Sequence, residues 1–225
     1  MPLTIDRTKL RLKSSNFRNE VTAKDLIVLH FTAGLSASSA FWSWVARPDR
    51  VATAYLVDVD GKVYETFDPS RWAHHLGVAG PVNANFIQDR RSIGIEIVNV
   101  GGLKPDPKDP GQLNWWPSNY RVPWCRTTDT ARYVRRPFRG LEYFPVFPET
   151  QFQSVCQLVT MLSEAYRIPR IVPAERRRDQ FDLRYYGAYR GIASHQNFHA
   201  EKTDIGPAWD WKRFIAAIGA QEAGA

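Results

Sequence analysis

The run Ser194-His195-Gln196-Asn197-Phe198-His199-Ala200-Glu201-Lys202-Thr203-Asp204-Ile205-Gly206-Pro207-Ala208-Trp209-Asp210-Trp211 constrains this chain more than any other stretch. It sets imidazole, ammonium and carboxylate groups close together and closes on a Gly-Pro turn and a Trp-rich helix start. Burying such groups is costly unless they are paired or hold a metal. Zinc takes three protein ligands drawn from His, Asp, Glu or Cys and keeps an open position for water. His195 and Asp204 therefore read as half of a hydrolytic metal site. The fold must then deliver a further imidazole, and Leu29-His30-Phe31-Thr32-Ala33-Gly34 is the candidate source.

The pattern around these segments is that of an α/β chain. Leu26-Ile27-Val28-Leu29-His30-Phe31 reads as a strand buried on both faces, with His30 near its C-terminal end, where α/β sheets place their chemistry. Ser36 caps a helix through about Ala46, before Pro48. Strands over Ala54 to Val59 and Lys62 to Phe67 join at Asp60-Gly61, a hairpin signal. A further strand lies within Arg91 to Val100. An amphipathic helix over Glu149 to Arg167 carries Phe152, Val155, Cys156, Val159 and Leu162 on one stripe. Ile192 to His195 leads into the motif, and Trp211, Phe214, Ile215 and Ile218 mark a last helix. Arg176-Arg177-Arg178 reads as a solvated loop.

Residues 101–148 break the pattern, with eight of the fifteen prolines and Trp115, Trp116 and Trp124. So aromatic a stretch is no disordered linker. Its two readings are a wall of the substrate groove, with tryptophans stacking on sugar rings, and an apolar cluster covering a sheet edge. The expected fold is a single α/β domain over 1–225, a central mixed β-sheet flanked by helices. Its core covers about 26–100 and 149–218, with a long Pro/Trp-rich insertion at about 101–148.

Thirty Lys plus Arg against 23 Asp plus Glu give a net charge of +7, which favours polyanionic partners without choosing among them. No recognition helix, zinc-finger spacing or aromatic RNA-binding signature supports a nucleic-acid partner. Met1 to Glu20 is polar and holds no apolar run of signal-peptide length, and no window suits a membrane span. The expectation is a monomer, cytoplasmic as synthesised, that reaches a cell wall only if released. Cys125 and Cys156 have no metal-type spacing, and a buried thiol at Cys156 or one disulfide between the two both remain open.

The five histidines are His30, His74, His75, His195 and His199. His30, His195 and Asp204 make an open three-ligand zinc site, with His199 as the competitor of His195. Glu96 interrupts the apolar run Ile93-Gly94-Ile95-Glu96-Ile97-Val98, as a solvated or Arg-paired carboxylate or as a general base beside a metal. Lys202 is a solvated loop cation or a partner for a developing oxyanion.

Four segments in series resemble the zinc-dependent N-acetylmuramoyl-L-alanine amidases of type 2, which share the fold of peptidoglycan recognition proteins. They are Leu29-His30-Phe31-Thr32, Tyr55-Leu56-Val57-Asp58-Val59-Asp60-Gly61, Arg91-Ser92-Ile93-Gly94-Ile95-Glu96-Ile97-Val98-Asn99, and His195 through Lys202-Thr203-Asp204-Ile205-Gly206-Pro207 to Trp211. The resemblance implies one Zn2+ per chain on His30, His195 and Asp204, with Glu96 as base and Lys202 as electrophilic helper. It places His75, Thr32 and Tyr55 at the substrate. The implied reaction is hydrolysis of the amide between the lactyl group of N-acetylmuramic acid and L-alanine, in peptidoglycan or muropeptides. Ala54 stands where the family often has a His, and Asp204-Ile205-Gly206-Pro207 replaces Asp-Pro-Gly-Pro. Residues 174–190 are also longer than typical. A non-catalytic peptidoglycan-binding module on the same fold is the alternative, but such relatives lose a zinc ligand that this chain keeps.

Overall fold

In Ser92-Ile93-Gly94-Ile95-Glu96-Ile97 every second residue is isoleucine. Period-two alternation turns those isoleucines to one face of a strand and Ser92, Gly94 and Glu96 to the other. A computed structural model, which describes residues 3–115 and 122–224, shows this segment near the middle of a mixed sheet.

The first half of the chain supplies strands β1 (Ile5–Asp6), β2 (Leu26–Phe31), β3 (Tyr55–Val57), β4 (Val63–Glu65) and β5 (Ser92–Ile97). Strands β6 (Leu103–Pro105), β7 (Gln112–Trp115), β8 (Val122–Arg126), β9 (Tyr133–Phe138) and β10 (Leu141–Pro145) follow. The last are β11 (Ile171–Val172), β12 (Gly191–Ser194) and β13 (Gln221–Glu222). The helices are α1 (Ala37–Val45), α2 (Ile87–Arg91), α3 (Glu149–Tyr166), α4 (Glu175–Arg178), α5 (Leu183–Tyr186) and α6 (Trp211–Ile218).

The main sheet runs β1-β4-β3-β5-β2-β12, and every neighbouring pair is parallel except the β3–β4 hairpin. Gly61 takes a φ of 83° at that turn, and a Cβ there would come within 2.8 Å of the Thr150 carbonyl, so the turn needs glycine to seat against α3. One sheet face carries Ile27, Leu29, Ile93, Ile95 and Ile97 into the large core, where α3 adds Phe152, Val155 and Val159 and α6 adds Phe214 and Ile218. Each fully buried side chain of that size contributes about 1.5–3 kcal/mol. On the other face Leu26, Val28 and Ala193 pack with Leu76, Tyr186 and Phe198. The β2 and β12 residues of that second cluster lead directly to the site. Ser36 caps α1 as expected, accepting from the Ser39 N–H at 3.1 Å.

The insertion is regular. Its strands form an antiparallel sheet in the order β8-β7-β6-β10-β9. Pro123 and Pro137 lie in β8 and β9, the two edges, where a missing N–H is tolerated. Those prolines hide the strand pattern. Trp115 and Trp124 sit on strands, partly buried against Val100, Leu103, Leu113, Cys125 and Tyr143, as in the apolar-cluster reading. Trp116 lies outside the described residues. Cys125 and Cys156 are both free and buried, and burial pushes the Cys156 thiol up to about 12. The expected loop at 176–178 is instead helix α4, with Arg178 buried, donating to the Pro173 carbonyl and lying over the Trp211 ring. Among the described residues no helix is long and apolar enough to cross a membrane.

Candidate metal centre and hydrolytic site

Three strand ends and one loop build the site. His30 is the penultimate residue of β2 and pairs in register with Glu96 on β5, so both project from the same face. His195 follows β12 one position beyond the Ser194–Leu29 pairing, which sets it beside His30. A capping box fixes the turn after it: Asn197 Oδ1 accepts from the Ser194 N–H and hydroxyl at 3.0 and 2.9 Å. Asn197 Nδ2 donates to the carbonyls of Arg178 and Gln180. Gln196 closes the loop, its N–H donating to the Asp204 carbonyl at 2.7 Å and its Oε1 accepting from the Gly206 N–H at 3.0 Å. Asp204 is thereby drawn back against His195.

The three donor atoms converge. His30 Nδ1 lies 2.9 Å from His195 Nδ1 and 3.2 Å from Asp204 Oδ2, and His195 Nδ1 lies 2.9 Å from the same oxygen. Bonds of about 2.1 Å in a tetrahedral zinc site put ligand atoms about 3.4 Å apart, so the triangle is slightly tighter than such a site and of the right kind. All three residues are buried. Burial, with the neighbouring His195, pushes His30 down to about 4, so its ring is neutral, the form that ligates. Burial alone would push Asp204 up, but His195 and His30 outweigh it and hold the carboxyl well below the usual range. Two imidazoles with an ionised carboxylate are a donor set that fits zinc.

The triad opens into a cavity of about 350 Å³ whose lining includes Glu96, Lys202, Thr32, Arg47 and Thr53. Among the described residues nothing hydrogen-bonds the Glu96 carboxylate. Burial, and next the charge of Asp204, push it up to about 8 against the pull of Lys202. Such an isolated, shifted carboxylate in a cleft is a candidate functional group. Thr32 is at the cavity, though its hydroxyl is engaged by Gly34 and Asn99. His75 reaches the cavity with both ring nitrogens occupied, by His30 at 2.9 Å and by Ser92 at 2.8 Å. Tyr55 does not reach it: it stands opposite Glu65 in the hairpin, packs in the large core and lies 3.2 Å from the Glu65 carboxylate through its hydroxyl. Thr53, two residues earlier, lines the cavity instead. His199 stays outside the triad, its ring centroid 6.4 Å from that of His195. A larger cavity, about 560 Å³, lies behind Gly206-Pro207 and holds none of the triad. Its arginines are committed, Arg136 to Asp179, Arg178 to Glu222 and Arg213 to Glu149.

One site element was not legible in the sequence. Arg139 sits with Gly140 at the β9–β10 turn, both at positive φ. Its guanidinium donates to the carbonyls of His199 and Gln196, each at 3.0 Å, and to that of Lys202. The insertion thus clamps the loop that carries His195, Lys202 and Asp204. Arg139→Ala is expected to cost about 1–3 kcal/mol in thermal unfolding, since it takes a charged donor from three carbonyls, of which that of His199 keeps the Lys202 N–H. Arg139→Lys will not restore it, because a point ammonium cannot span the fork. Unchanged melting in both variants would reduce the clamp to a surface contact.

The sequence model of the family described as N-acetylmuramoyl-L-alanine amidase matches residues 20–207. Among solved structures the chain is similar to the AmiD amidase of E. coli, solved with anhydro-N-acetylmuramic acid-L-Ala-D-gamma-Glu-L-Lys, at 17% identity and a TM-score of 0.53. That match covers 91% of this chain and 60% of AmiD, so the chain spans less than two thirds of that relative. It is also similar to AmpDh3 of Pseudomonas aeruginosa in complex with anhydromuramic pentapeptide, at 19% identity and a TM-score of 0.54, covering 97% and 67% of the two chains. A mutant endolysin from Bacillus subtilis matches at 16% identity and a TM-score of 0.52, covering 96% and 99%. At these identities the likeness is one of fold. No curated protein sequence matches the chain.

Proposed function

The chain belongs to the N-acetylmuramoyl-L-alanine amidase family, and from that premise we propose how its own residues carry out the hydrolysis. The substrate is the amide joining the lactyl group of N-acetylmuramic acid to L-alanine, in peptidoglycan or a muropeptide. The observation that carries the reading is the convergence of His30, His195 and Asp204 on one point, with the unpartnered Glu96 in the same cavity.

His30, His195 and Asp204 would hold one zinc, which would supply Lewis acidity, lowering the pKa of water and polarising the scissile carbonyl. Glu96 takes a proton from the attacking water on its carboxylate and returns it to the alanine nitrogen as the C–N bond breaks. Lys202 faces the oxyanion that forms when water adds to the carbonyl, a charge absent from the ground state. The exposed Arg47 at the cavity rim suits a carboxylate of the stem peptide. Two related structures hold anhydromuropeptides, which supports a muramic acid bearing a stem peptide as the substrate class. The intact donor set and the free carboxylate favour an enzyme over a binding module.

Mass spectrometry of sacculi and of soluble muropeptides, each incubated with the protein with and without a chelator, tests this reading. Release of free stem peptide only without chelator is expected. Binding of either substrate with no peptide released would favour the binding module.

A further inference from the structure

The two converging histidines both turn Nδ1 inward, and one short loop holds the outer nitrogen of each. His195 Nε2 lies 3.0 Å from the Leu76 carbonyl. A carbonyl only accepts, so this nitrogen carries the proton and Nδ1 keeps its lone pair. His30 Nε2 lies 2.9 Å from His75 Nδ1, a pair of imidazole nitrogens in which either could hold the proton. Ser92 decides the matter. Its hydroxyl donates to the Gln88 carbonyl at 2.7 Å, so towards His75 Nε2, at 2.8 Å, it accepts. His75 therefore carries its proton on Nε2 and accepts on Nδ1. His30 must donate from Nε2, and its Nδ1 is left bare.

We propose that the His75–Leu76 loop is a tautomer-setting brace that fixes both His30 and His195 as lone-pair donors through Nδ1. His75 is then a positioning residue acting through His30, rather than a substrate contact. This rests on the metal reading above. Asp89 holds the loop in place: its Oδ1 accepts from the N–H groups of His75 and Leu76 at 2.9 and 3.1 Å, and Asn83 donates to its Oδ2 at 3.3 Å. Gly94 leaves room for the ring, since a Cβ there would stand 3.1 Å from His75 Nδ1 and 2.7 Å from Thr53 Cγ2. Ser92, Gly94 and Glu96 share one face of β5, so a single strand carries the relay's end, the gap for its ring and the candidate base.

The test measures zinc affinity of the whole chain by competition with a chromophoric chelator, alongside long-range 15N spectra of the imidazoles in the zinc-loaded protein. His75→Leu removes the acceptor beside His30 Nε2 and should weaken zinc binding about 10- to 100-fold, the usual effect of losing an outer-shell partner. His75→Gln keeps an acceptor oxygen and should stay near the wild-type affinity. Ser92→Ala removes the group that orients His75, and should weaken binding in the same direction even if His75→Leu does not fold. In the wild type both His30 and His195 should show Nε2–H. Folded His75→Leu and Ser92→Ala proteins with unchanged affinity, or a zinc-loaded wild type with His30 protonated on Nδ1, would overturn the brace alone. A wild type that binds no zinc would overturn the metal reading with it.

Discussion

Glu96→Gln should lower kcat by on the order of 10²-fold or more, as expected on losing a general base, while zinc content and fold are kept. Glutamine preserves the shape of the side chain and removes only its capacity to take a proton. The carboxylate makes no hydrogen bond among the described residues, so no packing network falls with it. The substitution should also change how stability responds to pH in the metal-free protein. Burial raises Glu96 from its ordinary 4.5 to about 8 in the folded chain. Between those values the folded state holds a proton that the unfolded state has released, so its stability is fully present below the ordinary value and declines as pH rises to about 8. Glutamine has no such slope. The melting-temperature advantage of Glu96→Gln over wild type should therefore widen from acidic to mildly alkaline pH when metal is absent. A bound cation beside the carboxylate favours its ionised form and brings it back towards the range of a working base. Near-normal turnover in the variant would make Glu96 structural and leave another group to activate the water.

How far the sequence showed this site depends on what each residue needs from the fold. His30, His195, Asp204 and Glu96 were visible because each breaks its surroundings: a polar group at a strand end, or a carboxylate in an isoleucine run. Their meeting depends on the register that pairs His30 with Glu96 and Ser194 with Leu29, and composition does not encode register. Ser92 and Gly94 lay in plain view in the alternation of β5, yet their role appears only when β2 brings His30 and the loop brings His75. The motif points Tyr55 at the substrate, but its place opposite Glu65 in the hairpin sends it into the core. The insertion concealed its strands because proline interrupts propensity while edge strands accept it. Arg139 carried no local signal, since its three acceptors lie about sixty residues away in sequence.

The largest loss is expected on removing the metal-binding carboxylate or the metal itself. Protein purified without added metal should carry about one zinc per chain, by the three-ligand rule. Asp204→Asn keeps the size of the side chain but turns a donor set of one negative charge into a neutral one. Asp204 is held ionised by His195 and His30 against its burial, so the folded site is already organised around that charge. The variant should lose zinc on dialysis against a chelator that leaves the wild type loaded, and its turnover should fall below that of Glu96→Gln. The latter keeps the metal and loses only the proton acceptor, so the two variants separate metal loss from base loss. Binding to the folded state alone stabilises by about 4 kcal/mol at a thousandfold excess over Kd, so zinc should raise the melting temperature of the wild type and not of Asp204→Asn. A metal-free wild type that still releases stem peptide would show that the three side chains meet for packing, and that the hydrolysis runs on Glu96 and Lys202 without them.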